Sequence, residues 1–324
     1  MFKIKFQDST YDCNENESVL DCLLRNDCPV LYSCRSGICQ TCIMKVVEGN
    51  PPEKSQVGLK DTQIEQKHFL ACSAFPSEDL TVETFDSDAS PHIDITLIDK
   101  QILTDRIVQL RFSLKDDFDY QPGQYINLFR EDNFTRTYSL ASVPSLHEYI
   151  EIHVEKLENG VMSQWLYDTI QIGDSMRMSS ALGECYYTAN DLNQNILLIA
   201  TSTGFAPIYG ILRQAIEKGH KGEIHVYHGA AKRNKIYLVD EMREFTNNYD
   251  NVFYTPALSR EEIEGFAYGR VADLALAQQK DLKGWKMYLC GHPDMVNDTK
   301  RKAFLAGMSL NDIYADPFEL APKD

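Results

Sequence analysis

Cys34, Cys39 and Cys42 are separated by four and two residues, and Cys72 follows 29 residues further on. That is the spacing of a [2Fe–2S] site. Two irons bridged by two sulfides need four soft thiolates. The chain must therefore turn tightly enough to aim three at one point and return later with a fourth. Arg35, Ser36 and Gly37 sit inside the turn. Gly37 can take a positive φ, and loop N–H groups can point at the sulfurs and stabilise their charge. A zinc ribbon shows two CxxC pairs, whereas this stretch has one, Cys39 with Cys42. A Rieske centre needs two histidine ligands, and no histidine lies near the loop. Nine cysteines without a secretion signal argue against a disulfide framework and for a reducing cytoplasm. Cys13, Cys22 and Cys28 fall outside the spacing. Cys22 reads as a small core residue on a helix capped by Ser18, with Asp21 at its third position.

The run from Ser33 to Cys42, with Phe69, Leu70, Ala71 and Cys72 downstream, resembles a chloroplast-type ferredoxin domain covering residues 1–86. The resemblance implies a β-grasp fold with Cys34, Cys39, Cys42 and Cys72 as the metal ligands.

Residues 86–91 are polar and end in Pro91, as a linker would. From 92 to 190 strand signals dominate. Residues 106–114 and 148–155 alternate, with Ile150, Ile152 and Val154 on one face and turns such as Gln121-Pro122-Gly123 between strands. Short strands separated by turns suggest an antiparallel barrel or sandwich. Residues 196–200 form a continuous apolar run, expected of a buried parallel strand. A helical pattern follows at Ile208, Ile211, Leu212, Ala215 and Ile216, and further strands are predicted at 224–227, 252–255 and 287–290. Strand alternating with helix over 195–324 predicts a doubly wound parallel sheet.

Net charge is −16, which excludes a nucleic-acid binder relying on clustered Lys and Arg. No apolar run is long enough for a membrane span.

Two further constellations carry chemistry. Arg136, Thr137, Tyr138 and Ser139 place a cation, an aromatic plane and a hydroxyl on one predicted strand. Arg136 can pair with a pyrophosphate, Tyr138 can stack on a flat ring and Ser139 can hydrogen-bond a ring nitrogen. Gly160, Val161, Met162 and Ser163 then open a helix whose free N–H groups suit phosphate oxygens. Together and in this order they resemble the FAD domain of the ferredoxin reductase superfamily, which implies an antiparallel barrel. After the buried strand, Thr203 and Gly204 stand at a helix start with Pro207 in its first turn, a place for a dinucleotide phosphate or ribose. This turn resembles the family's G-G-T-G-x-A-P, with Thr201 and Ser202 in place of the leading glycines. Cys290, Gly291 and Pro293 resemble the family's C-G-x-P turn, which implies a thiol beside the nicotinamide C4. Residues 314–318 resemble its tail, which implies that Phe318 covers the flavin. Lys232 and Arg233 offer a grip for a 2′-phosphate, but the resemblance favours NADH, with NADPH open.

The three-part order is similar to reductase components of multicomponent bacterial oxygenases. That resemblance implies hydride electrons passing from NAD(P)H to FAD, with Tyr138, Ser139 and Cys290 around the reacting rings. Electrons then pass to the [2Fe–2S] cluster and leave singly by the loop edge at residues 35–38. The recipient is a terminal oxygenase or other redox protein, and the reductase itself is expected to be a monomer. CDP-6-deoxy-glucoseen reductase, from deoxysugar biosynthesis, shares the order and the T-G-F-A-P stretch at residues 203–207. The altered pair Thr201-Ser202 also leaves open an electron carrier or scaffold without nicotinamide chemistry.

Overall fold

Alternation in the first strand buries Ile4 and Phe6 and leaves Lys3 and Lys5 outside. The computed structural model describes residues 2–59, 61–84, 92–115, 118–132, 134–188 and 191–318; the linker expected at 86–91 lies outside them. Strands β1 (Phe2–Phe6) and β2 (Ser9–Cys13) form a hairpin, followed by helix α1 (Val19–Arg25). Ser18 caps α1, its hydroxyl accepting the Asp21 N–H at 3.1 Å, and Cys22 is fully buried, as expected. Next come β3 (Ile43–Glu48), α2 (Asp61–Glu65), β4 (His68–Leu70) and β5 (Leu80–Thr84). The sheet order is β2-β1-β5-β3-β4, with β1 and β5 parallel and the other pairs antiparallel. Helix α1 packs across it, placing Val19, Leu20 and Leu23 in one core with Phe6, Val46 and Val82. This is the β-grasp arrangement. The loop carrying Cys34, Cys39 and Cys42 joins α1 to β3, and Cys72 sits in a 3-10 turn after β4.

The second sheet contains β6 (Ile93–Ile102), β7 (Ile107–Leu114), β8 (Tyr125–Phe129), β9 (Thr135–Ser139) and β10 (Tyr149–Glu155). A short helix, α3 (Val161–Gln164), runs on as a π turn through Thr169, and β11 (Ser175–Met178) completes the sheet. Its order is β10-β7-β6-β11-β8-β9, antiparallel throughout. The sheet curls until the Ala141 N–H, just beyond β9, donates to the Glu151 carbonyl of β10 at 2.8 Å. That contact closes a barrel around Leu97, Leu110, Phe112, Ile126 and Ile152.

The third sheet is parallel: β12 (Ile196–Thr201), α4 (Phe205–Glu217), β13 (Ile224–Ala230), α5 (Val239–Asn248), β14 (Val252–Leu258), β15 (Ala267–Tyr268), α6 (Val271–Gln278), β16 (Lys286–Gly291), α7 (Pro293–Leu305) and β17 (Ile313–Pro317). The order is β15-β14-β13-β12-β16-β17. The direction of winding reverses at β12, so its carboxyl end, between β13 and β16, is where a ligand crevice opens. Helix α4 is tied to the barrel: Arg213 donates to Glu151 Oε1 at 3.3 Å and to the Ala141 carbonyl. Among the described residues no helix is long and apolar enough to cross a membrane.

Candidate functional site

The cysteine loop is shaped by three left-handed positions, Arg35 (φ 55°), Gly37 (φ 77°) and Gln40 (φ 55°). This conformation turns backbone N–H groups inward. Those of Ser36 and Cys39 point at Cys34 Sγ, and that of Cys34 points at Cys39 Sγ, each at 3.4 Å. The four thiols fall into two pairs. Hydrogen bonding with the Cys39 thiol, aided by the Ser36 and Cys39 amides, pulls Cys34 down to about 4 against the effect of burial. Cys72 is likewise pulled down, first by the Cys42 thiol. Cys39 and Cys42, the donors of the two pairs, are pushed up. Two thiol pairs in a nest of N–H donors fit a two-iron group, in which each iron takes two thiolates. Cys13, Glu17 and Cys22 also meet, but both Glu17 oxygens are held by Arg25, at 2.7 and 2.9 Å.

A cleft of about 1300 Å³ runs from this loop across the barrel rim to the carboxyl ends of β12, β13 and β16. Single-ligand pockets span ~300–1,000 Å³, so there is room for more than one dinucleotide segment. Cys34, Ile38 and Cys39 line one end. Ile38 therefore faces inward, its carbonyl taking the Tyr125 hydroxyl at 2.9 Å. Of the loop edge at 35–38, the Ile38 end packs against Tyr125 of β8. Ser36 stays exposed, and Arg35 lies over the Tyr32 ring at 4.8 Å.

Arg136, Thr137, Tyr138 and Ser139 all line the cleft, as do Gly160, Val161, Met162 and Ser163. Arg136 is anchored by a 2.8 Å bond to the Thr135 carbonyl and by the Phe134 ring 4.3 Å away. Burial pushes the Tyr138 phenol up, so it stays neutral. At Gly160 a Cβ would lie 2.3 Å from Ser163 Oγ and 2.9 Å from Leu157 Cβ, so only glycine fits this turn. A cation, a neutral ring and a cradle that only glycine opens fit the pyrophosphate and ring of FAD.

On the nicotinamide side Thr201, Ser202, Thr203 and Ala206 line the cleft. Ser202 takes φ 49°, the left-handed conformation a glycine adopts most easily, and its hydroxyl donates to Glu155 Oε2 at 2.5 Å. That bond supports a serine where the resemblance implies glycine. Gly204 and Pro207 shape the wall from behind. A Cβ on Gly204 would meet the Cys290 carbonyl at 2.4 Å, and Pro207 is buried in the first turn of α4. Gly291 (φ 125°) lines the cleft beside His292, but the Cys290 thiol is fully buried, with the Cys185 sulfur at 3.7 Å. The expectation of a thiol facing the nicotinamide is thus corrected: the apolar core around Ala200 and Phe205 takes the side chain one layer below the cleft. Phe318 lines the cleft, and its N–H donates to the Gly291 carbonyl at 2.7 Å. Lys232 and Arg233 stand outside the lining; the Arg233 guanidinium bonds the Ile236 carbonyl at 2.9 Å. Ser259, Arg260 and Arg270 line it instead.

Sequence reading missed the most perturbed acid in the cleft. Asp316, on β17 opposite Cys290, accepts the Ser139 hydroxyl at 3.2 Å. Burial pushes its carboxyl up to about 7, with the Ser139 bond opposing. Its only signal was an acid in an otherwise apolar tail, residues 314–318. Lys235, 2.7 Å from Glu155, and the buried His153 were likewise unannounced.

Residues 2–77 match the family described as a 2Fe-2S iron-sulfur cluster binding domain. Residues 94–187 match an oxidoreductase FAD-binding domain, and 198–301 an oxidoreductase NAD-binding domain. The chain is 31% identical over 309 residues to the ferredoxin–NAD(P)+ reductase component of the naphthalene 1,2-dioxygenase/salicylate 5-hydroxylase systems of a Ralstonia species, covering 93% of each chain. It is 25% identical over 312 residues to the CDP-6-deoxy-L-threo-D-glycero-4-hexulose-3-dehydrase reductase of Yersinia pestis, again covering 93% of each. Its fold superposes on an Amycolatopsis cytochrome P450 reductase with a TM-score of 0.71 and 25% identity, covering 98% of this chain and 99% of that one. The chain belongs to the iron–sulfur flavoprotein reductases, in which one polypeptide carries electrons from NAD(P)H through FAD to a [2Fe–2S] cluster.

Proposed function

We propose that this reductase hands single electrons to a separate oxygenase or to that oxygenase's ferredoxin, working as one chain in three segments, 1–86, 92–190 and 195–324. The observation that carries the reading is that Cys34 and Cys39 line the same cleft as Tyr138, Ser139 and Thr203, so one chain builds all three stations. FAD takes two electrons as a hydride and releases them one at a time, which is what a one-electron cluster requires. In the residue roles proposed here, Cys34, Cys39, Cys42 and Cys72 hold the irons. Arg136 and the turn at 160–163 hold pyrophosphate, and Thr137, Tyr138 and Ser139 orient the ring. Thr203, Gly204, Pro207, Gly291 and Phe318 form the nicotinamide end, and Cys290 supports its floor. A hydride carries a proton along with two electrons, whereas electrons leave alone, so one proton per hydride must leave the cleft separately. Ser139 Oγ and the Asp316 carboxylate provide its path: the hydroxyl relays and the carboxylate accepts. Outside the four iron ligands, Cys13, Cys22, Cys28, Cys185 and Cys290 form no disulfide, which suits a cytoplasmic setting.

The test is anaerobic addition of NADH to reconstituted protein. Flavin and iron–sulfide absorption should both bleach, and bleaching of neither removes the reading. The Yersinia relative favours a second acceptor, the dehydrase system of deoxysugar synthesis. Turnover reconstituted with an oxygenase but not with such a dehydrase decides between them. Ser202, seated in its left-handed position, argues against a scaffold with a defunct nicotinamide turn.

A further inference from the structure

One side chain ties the cluster loop to the flavin strand. Asn127 lies on β8 and is 4% exposed. Its Oδ1 accepts two hydroxyls at 2.9 Å each, from Thr41 of the loop and from Thr137 of β9. Its Nδ2 donates to the Cys39 carbonyl at 3.3 Å. Tyr125, at the start of the same strand, adds the bond to the Ile38 carbonyl. The Ser33 and Thr137 hydroxyls lie 3.3 Å apart. The β8 backbone already has its ladder partners in β9 and β11, so the strand does not need this carboxamide in order to form. Burying an amide costs free energy unless its hydrogen bonds are made, and here the bonds that repay the cost all cross between the two units or reach the flavin strand.

The Thr41 hydroxyl has one proton and two acceptors in reach, Asn127 Oδ1 at 2.9 Å and Cys39 Sγ at 3.1 Å. As an iron ligand Cys39 is a thiolate and can only accept. Hydrogen bonds to ligand sulfur stabilise the reduced cluster and raise its potential. Asn127 therefore competes with a cluster sulfur for this proton.

We propose that Asn127 is the positioning residue that holds the cluster loop at the flavin strand and thereby sets the rate of the flavin-to-cluster electron step. In that step one electron leaves the reduced flavin and one ferric iron becomes ferrous. The proposal rests on the relay described above. Asn127 is absent from the cleft lining, and it reaches the flavin side only through the Thr137 hydroxyl, which also has Ser33 Oγ at 3.3 Å.

The experiment is anaerobic stopped flow on holoenzyme carrying Asn127→Ala, with flavin bleaching and the cluster's paramagnetic signal followed separately, alongside a redox titration of the cluster. Flavin reduction by NADH should change far less than cluster reduction, because the variant keeps every residue that lines the cleft. Cluster reduction should slow severalfold or more, since electron tunnelling falls exponentially as the loop moves away from the flavin strand. The potential should shift positive, because Thr41 is released to Cys39. A slower step despite greater driving force distinguishes lost positioning from an altered cluster. Thr41→Val removes the tether from the loop side without freeing a proton for Cys39, so it should slow cluster reduction without the positive shift; it serves alone if Asn127→Ala does not fold. Wild-type cluster reduction matched by Asn127→Ala or by Thr41→Val overturns the proposal and leaves the relay standing. A wild-type cluster that NADH never reduces overturns the relay itself.

Discussion

Replacing Asp316 with asparagine keeps the shape and an acceptor for Ser139 but removes the ionisation. The carboxyl moves from its ordinary 3.8 to about 7 in the fold, because burial strips water from the charged form. Each pH unit of such displacement is worth about 1.4 kcal/mol, so ionising Asp316 in place costs on the order of 4 kcal/mol. The folded carboxyl holds its proton where the unfolded one has lost it. Asp316 therefore destabilises the wild type progressively as pH rises from about 4 to about 7, and not at all below that window. In urea unfolding the difference between Asp316→Asn and wild type should grow by roughly 2 kcal/mol between pH 5 and pH 7 in favour of the variant, then level off above pH 7. Other titrations are common to both proteins and cancel in the difference. The same substitution removes the proton acceptor beside Ser139. Ferricyanide reduction by NADH should rise with pH through about 7 in wild type, where the carboxylate form accumulates. In the variant it should be flat and roughly 10²-fold lower, the usual contribution of a positioned base. A stability difference that does not change with pH refutes the burial argument. A rising limb that survives in Asp316→Asn refutes the proton path.

Cys39→Ser should abolish delivery to cytochrome c while leaving ferricyanide reduction largely intact, since the flavin lies upstream of the cluster; equal loss of both reverses the order of the relay. Gly160→Ala puts a Cβ 2.3 Å from Ser163 Oγ. An overpacking cost of about 1–3 kcal/mol should appear as flavin lost on gel filtration, and full retention shows that the turn gives way. Arg260 lines the cleft near Ala231, where no acid follows β13. Arg260→Ala should raise KM for NADPH by roughly tenfold or more, as expected for a lost charged hydrogen bond, and leave NADH unaffected. Equal rises for both show that the arginine does not read the 2′-phosphate. Residues 1–86 carry 8 basic and 14 acidic side chains, a net of −6. Transfer to the partner should slow as salt rises if that partner presents a basic patch, and a salt-independent rate removes electrostatic steering.

What could be read from the chain alone was local. The cysteine loop at 34–42, the run at 196–200, the Ser18 cap and each of the segments 136–139 and 160–163 depend on neighbours within a turn or a strand. Periodicity and ligand chemistry announce such features. The fold decided what depends on residues far apart. Ser139 meets Asp316 across 177 positions, and Thr41 meets Asn127 across 86. No local pattern marks either partner, because a carboxyl or a carboxamide acquires its role from what the packed units leave around it. The same packing seated Ile38 against the barrel and drew the Cys290 thiol into an apolar layer. Short-range order named the stations of the relay. Burial and closure of the barrel against its neighbours set which atoms face one another, because desolvation and hydrogen-bond direction exist only once distant segments exclude water between them.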